Sequence, residues 1–196
     1  MIRADESKAS FRTILADPPW EERGAGKICR GANRHYSLMK TPEIIGYLRQ
    51  IPVARDAHLY LWVTNNFLPA GLEVMDRLGF RYVTNLAWVK SKDDGETVQA
   101  GLGQYFRGAH ELLLFGVRGR LPYKQDGEKR NFIPTVIIAP RREHSRKPEE
   151  QYGVIEATSY PPYIEAFARA HRDGWEVIGL KAPGAIELET RGVVFG

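Results

Sequence analysis

The chain has 196 residues, 28 Lys or Arg against 24 Asp or Glu, and a formal net charge of +4 with its five histidines counted neutral. That length predicts one domain over 1–196, able to bury roughly 70% of its unfolded surface without a covalent staple. The lone cysteine, Cys29, excludes an internal disulfide framework, no apolar run reaches the length of a membrane span, and the polar start from Met1 to Arg12 lacks a signal-peptide pattern. The expectation is a cytoplasmic protein, mildly basic, with a polyanionic partner permitted.

In chain order, Phe11 to Ala16 reads as a buried strand that runs into Asp17-Pro18-Pro19-Trp20. Glu21 to His35 holds three glycines and four Lys or Arg residues with no apolar period, and reads as a loop. Pro42 to Arg49 has helical spacing, with Thr41 as its N-cap and Pro42 in its first turn. Ala57 to Val63 is a second strand, ending at Thr64-Asn65-Asn66. Leu68 to Leu78 is a helix stopped by Gly79. Tyr82 to Val89, Glu111 to Val117 and Thr135 to Ala139 are further strands, separated by the polar stretches Ser91 to Gly108 and Leu121 to Asn131. Pro148 to Thr158 opens with Pro-Glu-Glu, a good helix N-terminus. Pro162 to Ala168 and Trp175 to Leu180 are the last two strand candidates. Strands alternating with helices predict an α/β fold, a mostly parallel sheet with helices on both faces.

Asp17 to Trp20 is the most informative segment. In open α/β sheets ligands bind outside the carboxyl ends of the strands. Proline fixes φ and has no N–H, so this mouth is rigid while its carbonyls remain acceptors. Asp17 adds an acceptor and Trp20 a flat face. Two acceptors beside a stacking surface suit a planar ring with an exocyclic amine, such as adenine. A plain turn after a strand is the competing reading.

Other candidates are weaker alone. In Asn33-Arg34-His35-Tyr36, Tyr36 can close over a ring and Arg34 can meet phosphate. Trp62 and Asn65 end the second strand, where Trp62 lines a pocket or fills the core. Lys90 ends the third strand. Ser145-Arg146-Lys147-Pro148 leads into a helix N-terminus, an anion site. Glu165 can accept from ribose hydroxyls, while Arg169, His171 and Arg172 can hold a carboxylate or phosphate. No His and Cys spacing matches a metal site, so no catalytic metal is expected. The glycine-rich dinucleotide fingerprint is absent; Gly101-Leu102-Gly103 is only a partial match.

Together these segments resemble the adenine amino-methyltransferase family that includes the catalytic subunit of the eukaryotic messenger-RNA adenosine methyltransferase. The resemblance runs in one order through Ile14 to Trp20, His35-Tyr36, Leu59 to Thr64 and Trp88-Val89-Lys90. It continues through Gly108-Ala109-His110-Glu111, Phe115 to Gly119, Ser145 to Glu149, Tyr152-Gly153 and Glu165 to Arg169. It implies a Rossmann-like methyltransferase fold with permuted motif order, the catalytic motif first and the cofactor-binding strand late. It implies S-adenosylmethionine as cofactor and methyl transfer to the adenine N6 amine of nucleic acid. DNA is favoured because the chain looks like the compact bacterial or phage members. An RNA adenosine methyltransferase and an inactive nucleic-acid-binding partner subunit are the alternatives, and pairing with itself or with another family member is the implied assembly.

By position the resemblance carries over Asp17 and Pro18 at the target amine, Trp20 and Tyr36 at the base pocket and loop, Lys147 at the cofactor, and Arg169 and His171 near its ribose. Together with the residues read directly, Asp17, Pro18, Pro19 and Trp20 are the expected catalytic set. Arg34, Tyr36, Trp62, Asn65 and Lys90 are expected at the substrate. Ala16, Asp17, Ser145, Lys147, Glu165, Arg169, His171 and Arg172 are expected at the cofactor. The chain departs from the family pattern at Arg172, where Asn is usual, and at Leu180-Lys181, where Asn-Gln or Asn-Glu is usual.

Overall fold

The computed structural model describes residues 10–21, 38–102, 105–125, 132–142 and 146–179. Seven strands form one sheet: β1 (Phe11–Ala16), β2 (Val53–Val63), β3 (Arg81–Ser91), β4 (His110–Arg118), β5 (Val136–Pro140), β6 (Tyr163–Ala166) and β7 (Trp175–Ile178). Three helices join them: α1 (Thr41–Leu48), α2 (Leu68–Arg77) and α3 (Glu150–Thr158), with a 3₁₀ turn at Asn65–Phe67 before α2. Every strand and helix expected from the sequence is present, so the α/β reading holds.

The sheet order is β5-β3-β4-β2-β1-β6-β7. β1 pairs in parallel with β2 and β6, β6 with β7, and β3 with β5. β4 alone runs against its neighbours β2 and β3. The first strand therefore lies near the middle. From it the chain crosses to β2 on one side, and β6 later docks on the other. That makes the gap between the carboxyl ends of β1 and β6 a topological switch point.

Alternation along the strands divides the core into two layers. Ile14 and Ala16 of β1 and Leu59, Leu61 and Val63 of β2 face one layer, which α1 fills with Ile44 and Leu48 and α2 with Val74 and Met75. Leu15, Tyr60, Trp62, Leu86, Trp88 and Leu113 face the other, where α3 contributes Tyr152 and Ile155. Helices thus cover both faces. β1 and the second half of β2 are buried on both sides, which is why they read as unbroken apolar runs rather than alternating ones.

Two glycines are required by position. A Cβ on Gly71 would stand 2.5 Å from Val63 Cγ1, so only glycine lets α2 lie this close to β2. Gly79, at φ 77°, reverses the chain after α2 in the left-handed region.

Several element boundaries shift by one to four residues from expectation, and three of the shifts have a visible local cause. Lys40, not Thr41, caps α1: its backbone N–H donates to Glu43 Oε2 at 2.6 Å, and Thr41 is already helical. β2 begins at Val53 because the polar residues Arg55 and Asp56 lie in an edge extension paired through Val53 to Phe11. β6 stops at Ala166, before the expected Ala168, because Phe167 turns to φ 63° and stacks on Tyr47 at 4.5 Å.

Candidate active site

Asp17 emerges from β1 at the switch point, half-buried. The two prolines that follow are tied down through their carbonyls. Pro18 O accepts the Trp20 N–H at 2.9 Å and Pro19 O accepts the Met39 N–H at 2.8 Å. A carbonyl has two lone pairs, so Pro18 O keeps one for a ligand. Trp20 is not the open stacking surface the sequence reading gave it. It is 8% exposed, its indole N–H donates to Trp62 O at 3.0 Å, and Phe67 stacks on its ring at 5.5 Å. It anchors the mouth. Ala16 is fully buried among the α1–α2 core residues, so only its backbone can meet a ligand.

A line of alternating charges crosses the sheet edge beside this mouth. Lys90 Nζ donates to Glu111 Oε1 at 2.6 Å, and Glu111 Oε2 lies 3.3 Å from Lys147 Nζ. Lys147 Nζ in turn donates to Asp17, at 2.8 Å from Oδ1 and 2.9 Å from Oδ2. Strand direction assembles this line. Lys90 lies near the end of β3 and Glu111 near the start of β4; because β4 is antiparallel, both sit at the same edge as Asp17. Lys147 enters from the segment between β5 and α3 and crosses Trp62, 5.6 Å from the ring centroid. Trp62 is buried and donates its N–H to Gln151 Oε1 at 2.7 Å, so it is a core tryptophan forming the site floor.

Burial alone would pull the Lys147 ammonium down. Asp17 and Glu111 outweigh it and hold the group above its ordinary range. For Glu111 burial pushes upward, but Lys147 and Lys90 together leave it below the usual carboxylate range. Both stay charged at neutral pH. Such a line is rigid because displacing any one ion leaves its neighbours uncompensated.

Glu165 of β6 forms the other wall. Burial, opposed by a hydrogen bond from Tyr152 and reinforced by the nearby Asp17 charge, raises its carboxyl to about 7. Tyr152 OH donates to Glu165 Oε2 at 2.8 Å. Arg172 lies over the Tyr152 ring at 4.0 Å and pairs at 3.5 Å with both Glu149 and Glu156. Arg172 is thus engaged with α3, steadying the tyrosine that holds Glu165. Arg169 and His171 follow β6 at the surface, His171 Nδ1 3.9 Å from Asp173. Asn65 is exposed at the end of β2.

The structure therefore brings Asp17, Lys147 and Glu165 to one edge, with Lys90 joined through Glu111. Glu111 was not among the residues singled out from sequence; only the direction of β4 reveals it. Tyr36, Arg34 and Ser145 lie outside the described residues, as do Leu180 and Lys181. Among the described residues no cluster of three or more His, Cys, Asp or Glu is placed to hold a metal, and no helix is long and apolar enough to cross a membrane.

Chemically, the edge offers hydrogen-bond acceptors at Asp17 and Pro18 next to a carboxyl, Glu165, able to accept from hydroxyls. Cations stand at Lys147 and Arg169, with the His171 imidazole exposed nearby in sequence. That donor set fits a ligand with a diol at one end and a carboxylate at the other. The MT-A70 family model matches residues 11–181. Human N(6)-adenosine-methyltransferase catalytic subunit METTL3 is 30% identical over 182 residues, 89% of this chain and 28% of that protein. A putative N(6)-adenosine-methyltransferase MT-A70-like protein of Medicago truncatula is 30% identical over 181 residues, 89% of this chain and 27% of the relative. The type II methyltransferase M.MunI of Mycoplasma sp is 27% identical over 213 aligned positions, 95% of this chain and 84% of that protein. The chain thus spans little more than a quarter of the plant and human relatives and most of the mycoplasma one. With a family model matched from the first strand to beyond the last, this chain belongs to the MT-A70 family.

Proposed function

We propose that this chain transfers a methyl group from S-adenosylmethionine to the exocyclic N6 amine of adenine in nucleic acid, with DNA the favoured polymer. The observation that carries the reading is Asp17 at the switch point, held by Lys147 and followed by two prolines whose carbonyls tie the turn down. The plant and human relatives are named for N(6)-adenosine methylation, and the order of this chain, with the Asp-Pro-Pro-Trp strand first and Glu165 late, fits the permuted arrangement.

The adenine amine is a weak nucleophile because its lone pair is conjugated with the ring. Asp17 and the remaining lone pair of Pro18 O accept its two N–H bonds, favouring a pyramidal nitrogen whose lone pair points away from both. Lys147 covers one side of both Asp17 oxygens. A carboxylate has about four lone-pair sites, so acceptor capacity remains. When bound, the cofactor supplies an electrophilic methyl on a cationic sulfur. Glu165 would hold its ribose hydroxyls, and Lys147, Arg169 and His171 its carboxylate end. Asp17 and Pro18 O would keep the amine nitrogen aimed at that methyl, and Asp17 or water would take the surplus proton once the nitrogen is methylated. Positioning supplies much of the acceleration, and the fixed dipoles of the mouth stabilise charge growing on nitrogen. The target base must be flipped out or single-stranded to reach Asp17.

The 27% identity to the type II methyltransferase over 95% of this chain supports the DNA reading. The 30% identity to METTL3 supports the RNA reading. Incubation with tritiated S-adenosylmethionine and matched DNA and RNA oligonucleotides, single- and double-stranded, separates them. Label in DNA is expected. Label in RNA alone would replace the polymer but keep the chemistry, and label in neither would refute the function.

A further inference from the structure

Two aromatic rings stand almost fully in solvent on the connection between β3 and β4. Tyr105 is 93% exposed and Phe106 is 91% exposed, with Leu102 at 78%. Single exposed apolar residues are ordinary, but two adjacent rings held outward are not. The projection that carries them joins β3 to β4 and is braced at its base. Gln99 N–H donates to Lys90 O at 2.7 Å, Lys90 N–H to Ala109 O at 2.8 Å, and Gly101 N–H to Gly108 O at 2.8 Å. The acidic residues Asp93, Asp94 and Glu96 belong to a separate turn, closed where Lys92 N–H donates to Thr97 O at 2.8 Å. Beyond the Gly101–Gly108 clamp, the charge next to the rings is Arg107, which is exposed.

The projection springs from the two strands that carry Lys90 and Glu111. Phe106 is five residues from Glu111, so chain length keeps its backbone within about 18 Å of the charge line. A flipped adenine at Asp17 leaves its neighbours unpaired or strained in the same region. Aromatic faces accept any base, and a cation beside them meets the phosphate.

We propose that Tyr105 and Phe106 form a base-stacking platform for unpaired nucleotides flanking the target adenine, with Arg107 on the adjoining phosphate. The platform rests on the nucleic-acid reading of the site. It assigns strand engagement to this projection and the chemistry to the Asp17 mouth. It also makes an unpaired or locally opened strand the preferred substrate, because a closed duplex hides its base faces.

The test is anisotropy with short fluorescein-labelled DNA and RNA strands, single and duplex, on the full chain and on Tyr105→Ala, Phe106→Ala, Phe106→Leu, Phe106→Trp and Arg107→Gln. Each alanine variant should weaken single-strand binding about tenfold. Phe106→Trp should restore binding and Phe106→Leu should not, since leucine keeps the apolar bulk without the π face. Arg107→Gln should reduce the salt slope by about one, whereas the ring variants leave that slope alone. Cofactor binding by calorimetry should be unchanged in all five. Unweakened binding in the alanine variants, or full binding in Phe106→Leu, overturns the platform while leaving the methyltransfer reading intact. A variant that instead converts a dimer to a monomer in light scattering, with single-strand affinity kept, makes the projection a protein interface and overturns it too. If the unmodified chain binds and methylates neither polymer, the functional reading fails and the platform with it.

Discussion

Replacing Lys147 by methionine keeps its length and removes its charge. The side chains of Lys147, Asp17 and Glu111 are 12%, 20% and 14% exposed, so the ions meet mostly away from water. In the variant Asp17 loses the ammonium that spans both its oxygens, and Glu111 is left with Lys90 at 2.6 Å. Removing one partner of a buried pair typically costs about 3–5 kcal/mol. The retained Lys90 and the residual exposure place the expected loss near the lower end, about 3 kcal/mol at pH 7 by urea unfolding. The pH dependence carries the sign. Glu111 lies below its ordinary range in the folded chain, so its contribution is present above the unfolded carboxyl value and fades as pH falls through the folded one. Lys147 is held above its ordinary range, so its charge persists throughout acidic and neutral conditions. The gap between the chain and Lys147→Met should therefore be full at pH 7 and narrow steadily below about pH 4. A loss under about 1 kcal/mol, or one indifferent to acid, would refute the claim that this charge line holds the mouth together.

Glu165 gives a second pH signature. Its carboxyl is raised to about 7, so its contribution to stability is full below the unfolded value and is lost as pH rises through 7. Glu165→Gln should remove that slope, worth up to about 3 kcal/mol between its ends, in thermal melts across pH 4–9. If ionised Glu165 accepts from ribose hydroxyls, S-adenosylmethionine should also bind more tightly as pH rises through 7. Calorimetry in buffers of different ionisation enthalpy would show the released proton, and a flat profile would remove Glu165 from the cofactor. Gly71→Ala tests the packing of α2. A helix interior ordinarily gains about 1 kcal/mol from this change, yet the new methyl would lie 2.5 Å from Val63 Cγ1 and 3.0 Å from Leu114 Cδ1. Overpacking should win by about 1–2 kcal/mol, and a stabilised variant would show that α2 can shift.

The central strands were legible because β1 and β2 are buried on both faces and read as short apolar runs. The mouth was legible because proline and tryptophan after such a run leave few backbone options. Long-range geometry was not legible. Nothing local marks β4 as the reversed strand, so Glu111 looked like the start of another strand rather than the acid between two lysines. Trp20 and Trp62 show the same limit. Sequence placed both at strand ends, but only their N–H partners, Trp62 O and Gln151 Oε1, show that they build the floor and wall rather than stand open. Arg172 replaces the Asn usual in the resemblance, and its stacking on Tyr152 depends on α3 folding back beside β6 and β7.

The most direct measurement is nucleoside analysis by mass spectrometry after reaction with S-adenosylmethionine, run on the unmodified chain and on Asp17→Ala. N6-methyladenine is expected from the unmodified chain. Asp17→Ala should lose far more than tenfold in rate, the equivalent of about 1.4 kcal/mol of barrier, while still folding and binding cofactor. A methylated cytosine, no methylated base at all, or an Asp17→Ala rate within tenfold of the original would contradict the proposed function.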